Sequence, residues 1–190
     1  AKAQGGKFAL LGRTALADEP AAAKGIDGDA QLKGALLNAA KSSGGAMPSP
    51  AELGKQVSRI LAGREVRATL AAIEAAGAKA RYVPVDVNNN AAVNAALDTI
   101  RKDWGAITAL VHGAGVLADR FITDKTDDQF TFVYDTKVGG LRTLLAATAN
   151  DPLTAIVTFS SVAGRCGNQG QCDYAMANEV LNKVAAAEAH

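Results

Sequence analysis

The sequence predicts an α/β protein built on a doubly wound parallel sheet, and three observations point that way. Four short apolar runs, at 7–11, 79–85, 107–111 and 154–159, read as strands because they are too short for helices. Longer stretches of helical periodicity lie between them, so the two element types alternate. The run Ile107 to Val111 is apolar without a break, as expected of a parallel strand buried on both faces.

Taken in order, Lys7 to Leu11 is the first strand, and Gly12-Arg13-Thr14 follows it. From about 18 to 63 the chain reads as a helical insertion, broken by Pro20, Gly25, Gly28 and the run SSGGAMPSP. Within it, Asp29 to Ser42 carries an amphipathic pattern through Leu32, Leu36 and Leu37. Ser49-Pro50-Ala51-Glu52 joins a serine cap, a first-turn proline and a capping-box glutamate, and opens a helix through Val57, Ile60 and Leu61. A separate helix is expected over Arg64 to Ala76, stopping at Gly77. Lys79 to Val85 is the next strand, closed by Asp86-Val87. Asn88, Asn89 and Asn90 can cap the following helix, 91–103, which buries Val93, Leu97 and Ile100.

Strand 107–111 ends in His112-Gly113-Ala114-Gly115, small residues that let backbone approach a ligand. Thr126-Asp127-Asp128-Gln129 is a second capping box. The helix it opens has an apolar stripe of Phe130, Tyr134, Val138, Leu141 and Leu145, with Lys137 beside the stripe and Tyr134 in a packing role. Asn150-Asp151-Pro152 turns the chain into the last strand.

The stretch FSSVAGRCGNQGQCDYAMAN, Phe159 to Asn178, holds the densest chemistry. A strand delivers Ser160 and Ser161, and a helix starting near Tyr174 puts Tyr174 and Asn178 on one face. A serine and a tyrosine hydroxyl suit carbonyl reduction, one holding the oxygen while the other gives it a proton. A phenol ordinarily ionises near pH 10, about three units too high, so the site needs a nearby cation. Lys137, 24 residues before Ser161, is the candidate.

The ordered set Lys137, Ser161, Tyr174 and Asn178, in this context, closely resembles the ketoreductase domains of polyketide and fatty-acid synthases, complex members of the short-chain dehydrogenase/reductase superfamily. Simple members place lysine four residues after the tyrosine. Here Asn178 holds that place and the lysine comes earlier, which is the mark of the synthase-borne domains. The long insertion resembles that of iterative synthases of the polyunsaturated-fatty-acid type, where it would serve packing or docking.

The resemblance implies a Rossmann-like fold and NADPH-dependent reduction of a β-ketoacyl chain held on an acyl carrier protein, with other synthase domains as partners. Tyr174 would donate the proton, Ser161 would position the oxygen, Lys137 would tune the phenol and bind ribose, and Asn178 would orient the lysine or a water relay. Ser160 is a packing or strand-end residue. Gly12, Arg13 and Thr14 would meet the adenosine ribose, with Arg13 taking the extra phosphate of NADP. Asp86 and Val87 would contact adenine. His112, Gly113, Ala114 and Gly115, together with Lys137 and Tyr174, would line the rest of the cofactor, the His112 side chain being structural. Leu117-Ala118-Asp119 falls where B-type domains carry Leu-Asp-Asp, so Leu117 and Asp119 would steer the substrate toward a 3R product.

No Gly-x-Gly-x-x-Gly loop follows a strand, so 1–190 is expected to be a fragment lacking the first strand with its glycine-rich loop and the C-terminal strands. Two rival readings are a catalytically silent scaffold within a synthase and a free-standing short-chain ketone reductase. With 48% apolar residues, 21% charged residues and a net charge of +1, the composition favours a folded domain over disorder and offers no pull toward nucleic acid or an anionic membrane. No apolar run reaches the roughly 18 residues needed to span a bilayer, and the start lacks a signal-peptide pattern, so a cytoplasmic location is the default. Cys166 and Cys172 with His112 are too few for a metal site, and read as free thiols.

Overall fold

The computed structural model describes residues 5–44 and 46–188. Parallel strand pairs organise it, one in each of two units that divide between Pro84 and Val85. The fold is α/β and Rossmann-like, with the parallel sheet incomplete.

In the first unit, β1 (Lys7–Gly12) pairs with β2 (Lys79–Pro84), Leu10 lying opposite Tyr82. A 3-10 turn at Ala21–Ala23, α1 (Asp29–Ser42) and α2 (Pro50–Ala75) connect them. The box at Ser49 forms as expected: its hydroxyl accepts from the Glu52 N–H, and the Glu52 carboxylate accepts from the Ser49 N–H at 2.7 Å. Leu32, Leu36, Leu53, Val57 and Ala23 form the core of this unit. Burying each large aliphatic there contributes about 1.5–3 kcal/mol.

The sequence suggests two helices meeting at Gly63, but α2 runs unbroken through it. One glycine costs a helix only about 1 kcal/mol. Here the bare position is used, because a Cβ on Gly63 would lie 3.3 Å from Arg67 Nη1 and 4.0 Å from Leu16 Cδ2. The insertion boundary near 63 therefore falls inside a helix.

In the second unit, β3 (Ala109–His112) pairs with β4 (Ala155–Thr158). Around them lie α3 (Asn90–Trp104), α4 (Asp127–Tyr134), α5 (Gly140–Ala147), the short α6 (Ala163–Cys166) and α7 (Cys172–Ala187). Asn89 caps α3 through Ala92 N–H, and Val93, Leu97 and Ile100 are buried as the periodicity predicts. Arg101 of α3 grips Asp151 at 2.6 Å, and Asp151 also accepts from the Ile107 N–H. That guanidinium holds the Asp151 carboxyl below the usual carboxylate range.

Strand β3 departs from the reading of burial on both faces. Leu110 and His112 are buried, whereas Val111 is 61% exposed. The reason is geometric: among the described residues β3 pairs with β4 alone, and its alternate side chains meet helices on one face.

Candidate active site

A widened helical turn positions Lys137. Between α4 and α5, Asp135–Gly139 forms a π turn in which the Gly140 N–H reaches back to the Asp135 carbonyl. The extra residue rotates the helix relative to the continuous stripe read from the sequence. Val133, Thr136, Lys137, Gly140, Leu141 and Leu144 face inward, while Phe130, Tyr134, Val138 and Leu145 are half-buried. Lys137 is thus within the buried face, 3% exposed, rather than beside it. Tyr134 does pack, its ring stacked on Phe130 at 5.8 Å.

Buried His112 braces this turn, its Nε2 lying 2.8 Å from the Lys137 carbonyl. Burial pushes the imidazole below its ordinary pKa, so the ring is neutral and Nε2–H donates to that carbonyl. The His112 side chain thus ties the end of β3 to the turn that carries Lys137.

The Lys137 ammonium donates to the Phe159 carbonyl at 3.1 Å and stands 5.2 Å from the centroid of the Tyr174 ring. Burial lowers its pKa from the ordinary lysine value. Gly115 packs against this amine, because a Cβ there would come within 3.2 Å of Lys137 Cε and 3.4 Å of Nζ. Four segments thus meet at one cation: the π turn, the loop after β3, the end of β4 and α7. Gly113 and Gly115 are exposed and Ala114 is half-buried, leaving backbone accessible on the loop after β3.

Tyr174 and Asn178 lie one turn apart on α7, and the Asn178 amide donates to the Tyr174 carbonyl at 2.7 Å. Its Oδ1 is fully buried with no hydrogen-bond partner among the described residues, an acceptor facing the interior at a cost of about 1–3 kcal/mol. Ser160 donates to the Asn178 carbonyl at 3.1 Å, a strand-end role, and the Ser161 hydroxyl accepts from the Ala163 N–H at 3.2 Å. Gly164 lets α6 close onto α7, since a Cβ would sit 3.1 Å from the Glu179 nitrogen and 3.2 Å from the Asn178 carbonyl carbon.

Two contacts that sequence reading missed bind the loop after β3 to the start of α7. Lys125 and Asp173 form an ion pair at 2.7 Å, with side chains 3% and 1% exposed. Lys125 also donates to the Ala118 carbonyl, and Asp173 Oδ1 accepts from the Tyr174 N–H. Gln171 donates to Asp119 at 2.8 Å. Leu117 is 60% exposed beside them. Local sequence gave no signal for the Lys125 pair, since its partners are 48 residues apart. Cys166 is exposed and Cys172 half-buried, and among the described residues no group of His, Cys, Asp and Glu could hold a metal.

In the first unit, exposed Arg13 and half-buried Thr14 follow β1. Tyr82 of β2, another residue not singled out from sequence, packs over Gly12, where a Cβ would meet its hydroxyl at 2.8 Å. In the second, Asp86 Oδ1 accepts from the Asn88 N–H at 3.0 Å, and Val87 packs on Gly140.

The sequence profile of the KR domain matches residues 53–190. The chain belongs to the KR domain family. This makes it a ketoreductase-like member of the short-chain dehydrogenase/reductase superfamily, homologous to the domains of polyketide and polyunsaturated-fatty-acid synthases. The KR chain is 44% identical over 186 residues to a polyunsaturated fatty acid synthase polypeptide of Thraustochytrium sp., covering 95% of this chain and 7% of that protein. An N-terminal ketoreductase from a macrolactin assembly line superposes with a TM-score of 0.58 at 37% identity, over 60% of this chain and 24% of that one. A ketoreductase domain from a bacillaene assembly line gives 0.57 at 26% identity, over 96% and 41%. The KR chain therefore spans less than half the length of each. Family membership supports an oxidoreductase, and members of the family generally use NADPH. No helix among the described residues is long and apolar enough to cross a membrane.

Proposed function

We propose that this chain carries the catalytic residues for NADPH-dependent reduction of the 3-keto group of a β-ketoacyl chain on an acyl carrier protein, giving a 3R hydroxyacyl product. The observation that carries the reading is the buried Lys137 ammonium, 5.2 Å from the Tyr174 ring centroid and tethered to the strand end that leads into Ser161.

NADPH, when bound, supplies the hydride. The residues present fit it: exposed Gly113 and Gly115 offer bare backbone beside Lys137, and Arg13 offers a cation for a phosphate. Gly12 and Thr14 flank that arginine, and Asp86 with Val87 would meet the adenine. Ser161 holds the ketone oxygen, and Tyr174 passes it a proton as negative charge develops there. Lys137 stabilises the charge left on the phenol oxygen. Asn178 Oδ1 is buried and has no hydrogen-bond partner among the described residues, and on this reading Asn178 would orient the lysine or a water that resupplies the proton. Leu117 and Asp119 would set the face of attack, Asp119 being held by Gln171. On this reading 1–190 is an NADP-binding catalytic segment, and 18–63 an insertion within it.

Tyr174→Phe in the full-length protein is the direct test. Reduction of a carrier-bound β-ketoacyl chain, followed by NADPH consumption, should fall about 10²–10⁴-fold with NADPH affinity nearly intact. Unchanged turnover would refute the role. Equal rates with and without the carrier would argue against the carrier-bound substrate, and chiral analysis of the product checks the 3R assignment.

A further inference from the structure

We infer that the insertion helix α2 completes the pocket for the cofactor's 2′-phosphate, with Arg59 as a second cation and Ser58 as a hydroxyl donor opposite Arg13. This rests on the NADPH reading above and assigns a role to a segment that the reaction does not otherwise use.

The loop after β1 and one face of α2 enclose an open cleft of about 680 Å³, lined by Arg13, Thr14, Ser58 and Arg59 among others, with no carboxylate among its described lining residues. Arg59, Gly63 and Arg67 are spaced four apart, so they form one row along α2, and Ser58 and Ala62 form the adjacent row. That face meets the loop directly. Gly63 packs on Leu16, and Arg67 donates to the Ala17 carbonyl.

The loop is also strapped down further along. Arg64 pairs with Glu19 and donates to the Ala23 carbonyl at 2.7 Å and the Ile26 carbonyl at 2.6 Å. Segment 17–26 is thereby fixed on α2; of the two neighbouring acids, Glu19 has its charge matched by Arg64, while Asp18 lines an adjoining pocket together with Arg59. The backbone just after Arg13 and Thr14 is thereby held against α2, while the guanidiniums of Arg13 and Arg59 stay exposed to an incoming ligand.

The chemistry selects a phosphomonoester dianion. Paired guanidiniums bind such groups through charge-assisted hydrogen bonds, and a hydroxyl can supply a further donor. The cleft adjoins Gly12 and Thr14, where the adenosine ribose is placed on the proposed reading.

The test is calorimetric titration of the full-length protein with 2′,5′-ADP and with 5′-AMP, which differ by the phosphate in question. Arg59→Ala should weaken 2′,5′-ADP by roughly tenfold, the scale of one charged hydrogen bond, and leave 5′-AMP unchanged. Arg59→Glu should weaken it further, and Ser58→Ala by a few-fold. Ser58 and Arg59 are both exposed, so these variants retain the core. If both Arg59 variants bind 2′,5′-ADP like wild type while Arg13→Ala does not, the role of α2 is overturned and the NADPH reading stands. If Arg13→Ala also has no effect and wild type does not distinguish the two ligands, both are overturned.

Discussion

Replacing Asp173 with alanine should destabilise the protein more than any single change at its surface. The carboxylate is fully enclosed and takes two hydrogen bonds, from Lys125 at 2.7 Å and from the Tyr174 N–H at 2.8 Å. Its removal leaves an ammonium, 3% exposed, held by the Ala118 carbonyl with no charge opposite it in the pair. Breaking a buried pair this way costs about 3–5 kcal/mol. A domain of this size has only about 5–15 kcal/mol in total. Lys125→Met should cost a similar amount, because it strands the carboxylate instead. The double variant Lys125→Met with Asp173→Asn removes both charges and keeps an oxygen for the Tyr174 N–H, so it should return to within about 1 kcal/mol of wild type. Urea unfolding of wild type, Lys125→Met, Asp173→Asn and the double variant, compared at matched slopes, yields the coupling directly. Additive effects, or single variants within about 0.5 kcal/mol of wild type, would refute the claim that this pair ties Tyr174 to the loop at 118.

Lys137→Met should abolish reduction without lowering the urea midpoint, because burial already disfavours the charge it removes. The sign also fixes a pH trend. With the folded pKa depressed, the unfolded chain holds the proton longer, so wild type should gain stability relative to Lys137→Met as pH rises toward about 10.5. For His112 the same direction of shift works lower on the scale. Its contribution is complete above about pH 6.5 and is lost as pH falls toward the depressed folded value, so the midpoint difference between wild type and His112→Gln should shrink through that window. Gly164→Ala should cost about 1–3 kcal/mol and reduce turnover, because the obstruction is the backbone of the helix that carries Tyr174. A wild-type melting curve for that variant would refute the contact.

Features written in a few adjacent residues were legible from the sequence. The boxes at Ser49 and Thr126, the Asn89 cap and the buried row Val93, Leu97 and Ile100 all formed where pattern placed them. The pairing of Lys137 with Tyr174 was legible as an ordered set, through the family resemblance rather than local chemistry. What stayed hidden depended on partners distant in the chain. Nothing near Lys125 announces Asp173, and nothing in 126–147 distinguishes a π turn from a plain helix, since the bracing His112 comes from another strand. Gly63 misled in the other direction. It reads as a stop, yet the close approach of Leu16 and Arg67 explains why a residue without a side chain sits inside α2.

The π turn also limits how this helix can change. A π turn holds one residue more than an α turn, so deleting a single residue between Asp135 and Gly139 would regularise the hydrogen bonds and keep the flanking segments in register, while removing the widened turn that aims Lys137. Helical order would improve while the amine left the phenol ring, which makes the irregular spacing a constraint on redesign: length must be conserved here even where identity is not.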